Sequence, residues 1–137
     1  MKNNFIHLHL HSEYSISDSL IRVKDLINKA SEEEFPAIAV TDLNNIFSLV
    51  KFYKLAIKNG VKPIIGIEVN LKDNENSTIQ SKAILLCKNM IGFNNLSNLI
   101  TDSYVDLKEG NNFVILKNQL EKRSDGLIAL SGGIYGD

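Results

Sequence analysis

The stretch Phe5-Ile6-His7-Leu8-His9-Leu10-His11-Ser12 decides how this chain is read. Residues 5–9 alternate in character and predict a strand, in which positions i, i+2 and i+4 share one face. All three histidines of the chain lie within five residues, at positions 7, 9 and 11. On a strand, two such imidazoles start about 6–7 Å apart at the backbone and can converge on one metal ion or bridge two. Imidazole suits zinc, manganese or iron. The pattern alone is weak, since three alternating histidines would equally form a polar inner face satisfied by hydrogen bonds.

Outward from this strand, the pattern changes period. Val23, Leu26, Ile27 and Ala30 form the i, i+3, i+4, i+7 stripe of an amphipathic helix over residues 20–30. Ser31-Glu32-Glu33-Glu34 ends it, and Pro36 follows. Residues 37–40 are a short apolar run suited to a strand buried on both faces. Asn44 or Asn45 can cap a second helix that uses Ile46, Leu49, Val50, Tyr53 and Ile57 and stops at Gly60. Pro63 opens a strand over 64–69, residues 73–81 are a polar loop, and 83–87 are a fourth strand. Leu96, Leu99, Ile100 and Tyr104 mark a third helix. A loop at 106–112 contains Gly110, a short helix is expected over 116–123, and a fifth strand over 127–130 ends in Ser131-Gly132-Gly133. Strands alternating with helices predict an α/β fold with mostly parallel strands, either a barrel or an open doubly wound sheet. A barrel needs about seven or eight such units. About five strands are legible here, so the chain reads as a single partial domain over 1–137 and a fragment of a longer polypeptide. Its open strand edges would be an aggregation hazard.

Composition narrows the function classes. The 137 residues are 44% apolar and 23% charged, enough for one packed domain. Fifteen basic and sixteen acidic residues leave a net charge of -1, so the bulk basic footprint of a nucleic-acid-binding domain is absent. The single cysteine, Cys87, excludes an internal disulfide and suits a reducing, cytoplasmic setting. The opening residues contain no apolar signal-peptide core, and no apolar run approaches the roughly 20 residues of a membrane span.

Carboxylates would complete a histidine metal site. Asp18, Asp42 and Glu68 are the candidates. Functional residues of α/β barrels gather at the C-terminal ends of strands, and Asp42 fits that rule. It would equally serve as a helix cap or turn-bonding group. Asp18, between two serines, would equally cap the first helix. Glu68, flanked by Ile67 and Val69, is costly inside an apolar strand unless paired or coordinated. Cys87 reads as core packing.

Taken in order, these motifs resemble a known family. Residues 5–15, Phe-Ile-His-Leu-His-Leu-His-Ser-Glu-Tyr-Ser, resemble the opening of the N-terminal PHP (polymerase and histidinol phosphatase) domain of bacterial DNA polymerase III alpha subunits. Pro36-Ala37-Ile38-Ala39-Val40-Thr41-Asp42 is similar to the second motif of that family. Leu49-Val50-Lys51-Phe52-Tyr53 and the run from Gly60 to Glu68 match its next helix and strand, and Gly126 to Gly133 a later signature. The resemblance is weakest over 72–80 and 105–120. It implies a distorted seven-stranded TIM-like βα barrel whose mouth, in active members, holds up to three metal ions and hydrolyses phosphoesters.

The resemblance carries His9, His11, Asp18 and Glu68 over as the remaining metal-site candidates, with His7 and Asp42 as accessories. It also marks departures. The usual glycine after Asp18 is Ser19, and family ligand positions fall on Leu43, Lys82 and Gly133. Leu43 cannot bind a metal, Gly133 has no side chain, and Lys82 can replace a metal's charge rather than ligate one. Phosphoester hydrolysis needs metal ions to generate hydroxide and stabilise both oxygens. The expectation is therefore a degenerate metal site in a structural module, with a residual zinc or manganese ion at most. The parent would be a DNA-directed DNA polymerase with magnesium in a separate palm site, acting on DNA and deoxynucleotides. Expected partners are the rest of the polymerase chain and a proofreading exonuclease subunit. The alternatives are an active metal-dependent phosphoesterase or 3'-5' exonuclease, and a stand-alone phosphatase such as histidinol phosphatase.

Overall fold

In the computed structural model, which describes residues 5–105, 113–133 and 136, the stripe of Val23, Ile27 and Ala30 is the buried face of helix α1 (Val23–Glu32). Three consecutive glutamates do not stop this helix at once, and it runs through Glu32. It ends because Glu34 turns into the left-handed region (φ 56°), which lets Phe35 N–H donate back to the Ala30 carbonyl. The chain then enters strand β1 (Ala37–Val40), buried at all four positions as its unbroken apolar run requires. Helix α2 (Leu49–Lys58) follows, and strand β2 (Lys62–Lys72) begins after Gly60, whose φ of +73° makes the turn.

The chain divides into two compact units, Met1–Ile67 and Glu68–Asp137. In the first, β1 pairs in parallel with the opening of β2, from Ala37 opposite Lys62 to Val40 opposite Ile65. Its core joins Val23, Ile27 and Ala30 of α1 to Ile38, Val40, Phe52, Ala56 and Val61. The face that α2 buries differs from the sequence expectation. Phe52 and Ala56 are buried, whereas Val50, Tyr53 and Ile57 are exposed. The helix carries two apolar arcs, and periodicity does not say which one meets the core. Its N-cap also moves, to Ser48, while Asn45 accepts a bond from the Phe47 N–H instead.

The predicted strand at 5–9 does not form as a regular strand. Ala39 N–H donates to the His7 carbonyl and Thr41 N–H to the Leu10 carbonyl. Two residues of β1 thus face three of the N-terminal segment, and the extra residue breaks the ladder as a bulge does. The segment still runs parallel to β1.

The second unit contains strand β3 (Ser81–Cys87), helix α3 (Met90–Val105), strand β4 (Ile115–Leu116), helix α4 (Lys117–Lys122) and strand β5 (Leu127–Ser131). Ala83 to Leu86, Leu96, Leu99 and Ile115 are buried. The sheet order is β1-β2-β3-β5, with β4 on β2. The two-residue β4 pairs in parallel with Leu71 and Lys72 and was not legible in the sequence. The β3–β5 pair is antiparallel, an exception within the mostly parallel expectation, which the parallel β1–β2 and β2–β4 pairs follow. Two helices and β4 lie between them, so the pair is not a single strand–helix–strand crossover and its parallel rule does not apply. The α/β class holds, and the described residues form five strands, with β4 in addition to the expected ones and no regular strand at 5–9. The expected loop at 106–112 lies outside the described residues.

Candidate metal centre

The N-terminal segment separates its histidines. The His7 ring packs edge-on against Phe5 and Phe35, with centroids 4.8 and 5.5 Å away. Phe35 precedes β1, so His7 sits toward the beginning of that strand. His9 and His11 lie further along, with ring centroids 5.1 Å apart and planes at 76°. The extra residue in the ladder falls between the Ala39–His7 and Thr41–Leu10 contacts and moves His9 and His11 off the spacing of a regular strand.

Glu68 follows Ile67 without a break in β2 and is 2% exposed. One ligand atom from each of His9, His11 and Glu68 lies within 4.8 Å of the other two. Two imidazole nitrogens and one carboxylate oxygen are a donor set that suits a divalent ion such as zinc or manganese. These three residues would hold such an ion, which would supply Lewis-acid and water-activating chemistry when bound. Asp18 is outside the group. It is exposed, in the turn where its N–H donates to the Ser15 carbonyl, and its carboxylate accepts from the Ser17 hydroxyl.

Lys82, the second residue of β3, brings its ammonium to 3.3 Å from a Glu68 carboxylate oxygen. A strand start is thereby placed beside the carboxylate, which the residue order alone did not make obvious. The pair satisfies the requirement that a carboxylate in an apolar strand be compensated. Leu43 presents only aliphatic carbon as a side chain, and its N–H donates to the Ser15 hydroxyl. Gly133 adopts φ +73°, and a Cβ built there would meet nothing within 4 Å.

Asp42 is 1% exposed and surrounded by donors. Its Oδ1 accepts from the Ser12 N–H (2.6 Å) and the Ser15 hydroxyl (2.8 Å). Its Oδ2 accepts from the hydroxyls of Ser12 (2.8 Å) and Ser48 (2.7 Å). Four donors stabilise the carboxylate within the protein and occupy its acceptor directions. Sequence reasoning missed these serines. For Ser12 and Ser15 the only signal was the density of hydroxyls directly after His11, at positions 12, 15, 17 and 19, and Ser48 had none.

The PHP domain family model matches residues 7–137. The chain is 43% identical over 134 residues to the DNA polymerase III subunit alpha of Buchnera aphidicola subsp. Acyrthosiphon pisum, covering 97% of this chain and 12% of that protein. It is 39% identical over 137 residues to the same subunit of Pseudomonas fluorescens, covering 100% of this chain and 12% of that protein. The chain thus spans about an eighth of the length of these curated relatives. Among solved structures it is similar to an amidohydrolase from Chromobacterium violaceum, with a TM-score of 0.51 at 20% identity, covering 71% of this chain and 34% of that one. That likeness concerns the fold alone.

Proposed function

The chain belongs to the PHP domain family, and we propose that it serves as the N-terminal PHP segment of a replicative DNA polymerase, with a structural rather than hydrolytic role. The identity to polymerase III alpha subunits along nearly the whole chain supports the parent activity, template-directed DNA synthesis from deoxynucleotides. That chemistry would use magnesium at a palm site elsewhere in the parent chain. The partners in this reading are the rest of the polymerase chain, a proofreading exonuclease docked on the module, and DNA reached through the parent. The setting is the cytoplasm; among the described residues no helix is long and apolar enough to cross a membrane.

One observation carries the structural role: the Lys82 ammonium beside Glu68. A fixed cation there stabilises the carboxylate as an ion would but activates no water. Leu43 and Gly133 offer no ligand atom in their side chains. The departures at these three positions support a reduced site of His9, His11 and Glu68, with Asp18 as a peripheral acid.

The test is metal content by mass spectrometry after chelation and re-supply with zinc and manganese, together with phosphoesterase and 3'-5' exonuclease assays. The structural reading expects no hydrolysis at saturating metal. Metal-dependent hydrolysis abolished by His9→Ala would overturn it. A second reading, an active metal-dependent phosphoesterase, is favoured by the convergence of three donor atoms within 4.8 Å. It requires stoichiometric metal and turnover in the same sample.

A further inference from the structure

The peptide joining His11 to Ser12 is held from both ends. Its carbonyl accepts the Ser19 hydroxyl at 2.8 Å, and its N–H donates to the buried Asp42 carboxylate at 2.6 Å. Ser19 is itself held, because its oxygen accepts the Ile21 N–H at 3.1 Å. The same Asp42 oxygen also accepts the Ser15 hydroxyl, and Asp42 lies two residues past the end of β1, against which the segment runs. A peptide pinned at both its donor and its acceptor cannot rotate about its flanking bonds, so the Cα–Cβ direction of His11 is set by groups that never touch the imidazole.

We propose that Asp42 and Ser19 are positioning residues for His11: they clamp the His11–Ser12 peptide and aim the imidazole at the site it shares with His9. This rests on the reading of His9 and His11 as a remnant metal site, and it assigns Asp42 to orientation rather than to ligation. Ser48 is the internal control. It bonds the same carboxylate through Oδ2, whereas the clamped peptide's N–H is held by Oδ1. If Ser19 and Ser48 served stability alone, losing either would leave the His11 ring where it is. Losing a clamp residue would not.

The experiment uses the 137-residue chain and the variants Asp42→Asn, Ser19→Ala, Ser19→Thr and Ser48→Ala. Two readouts are taken: imidazole nitrogen NMR shifts and linewidths of His11, and cobalt affinity followed by visible absorption. The clamp predicts that Ser19→Ala and Asp42→Asn alter and broaden the His11 nitrogen signals and weaken cobalt binding about tenfold or more, the usual scale for lost outer-shell support. Ser19→Thr restores both, and Ser48→Ala changes neither while lowering the melting temperature. If Asp42→Asn fails to fold, the Ser19 pair alone decides. Unchanged His11 signals in Ser19→Ala would overturn the proposal. Absence of cobalt binding in the unsubstituted protein would defeat the remnant-metal reading instead, and the NMR comparison would still decide whether His11 is clamped.

Discussion

The ammonium of Lys82 stands 3.3 Å from a carboxylate oxygen of Glu68, whose side chain is almost wholly buried while that of Lys82 is about one-third exposed. The asymmetry matters. The carboxylate bears most of the desolvation cost, and the lysine keeps part of its hydration while lying on the stem of β3. Such a pair stabilises less than a fully buried one of the same length, yet removing the cation alone leaves a buried anion to be compensated by its other contacts.

Lys82→Met should therefore move two quantities in opposite directions. Stability should fall by about 1–2 kcal/mol, below the range for fully buried pairs because the lysine is partly solvated. Zinc affinity should rise, since a divalent ion no longer competes with a tethered ammonium. Urea denaturation and zinc titration check this. A variant that loses stability without gaining zinc affinity would show that Lys82 is an ion-pair partner only.

Asp42→Ala should be among the most damaging single substitutions. It removes the acceptor for four donors, three of them hydroxyls drawn from Ser12, Ser15 and Ser48. The hydroxyls can rotate to new acceptors, but the buried Ser12 N–H cannot. A loss of about 3 kcal/mol is expected. A thermal melt within a degree or two of the unsubstituted chain would mean that water replaces the carboxylate freely.

Much of the first unit was legible because its elements announce themselves by period. The stripe at Val23, Ile27 and Ala30 fixed α1, and the apolar run at 37–40 fixed β1. Period alone failed where two answers share it. Helix α2 has apolar arcs on both sides, and only packing with α1 and β1 selects Phe52 and Ala56 over Val50, Tyr53 and Ile57. The alternation at 5–9 predicts a strand, but the extra residue beside β1 is a tertiary feature with no local signature. Of the site, His9, His11 and Glu68 were visible as ligand types in suggestive places. The serines around Asp42 were not, because positions 12, 15 and 48 converge only once β1 and α2 are in place.

Gly92 offers a case where local propensity and packing predict opposite signs. It lies within α3, so alanine there should add about 1 kcal/mol of helix stability. However, a Cβ at that position would fall on the backbone carbonyl of Gly126, which is not the movable end of a side chain. Gly126 has φ +75° and its own close approach to Gly92, so neither chain can retreat cheaply. Gly92→Ala should thus destabilise by about 2 kcal/mol net. A gain in stability on chemical denaturation would mean that Gly92 and Gly126 do not approach this closely in solution.

The Lys51 ammonium hydrogen-bonds Glu13 at 2.6 Å and holds its carboxyl below the ordinary value. A carboxyl lowered in the folded state contributes stability above its unfolded value and loses it as pH falls through the folded one. Both groups are solvent-accessible, so the contribution is small and salt-screened. Lys51→Met should raise the Glu13 pKa in an NMR titration, and added salt should do the same in the unsubstituted chain. An unmoved Glu13 titration would mean the contact is not maintained in solution.

Cys87 closes β3 and is partly buried, and that burial pushes its thiol up to about 11 from an ordinary value of 9.0. The sign is opposite to that of a reactive cysteine, whose thiolate is favoured by nearby cations. Well below pH 9 the thiol is mostly neutral in both states and the shift contributes little to the pH dependence of stability. As pH rises between the two values the unfolded chain ionises and the folded one does not, so stability declines there. At pH 8 the folded chain should react with a thiol reagent more slowly than the same chain in denaturant, with the ratio tracking the thiolate fraction. Equal rates in both states would show that Cys87 is solvated and that its burial does not govern its ionisation.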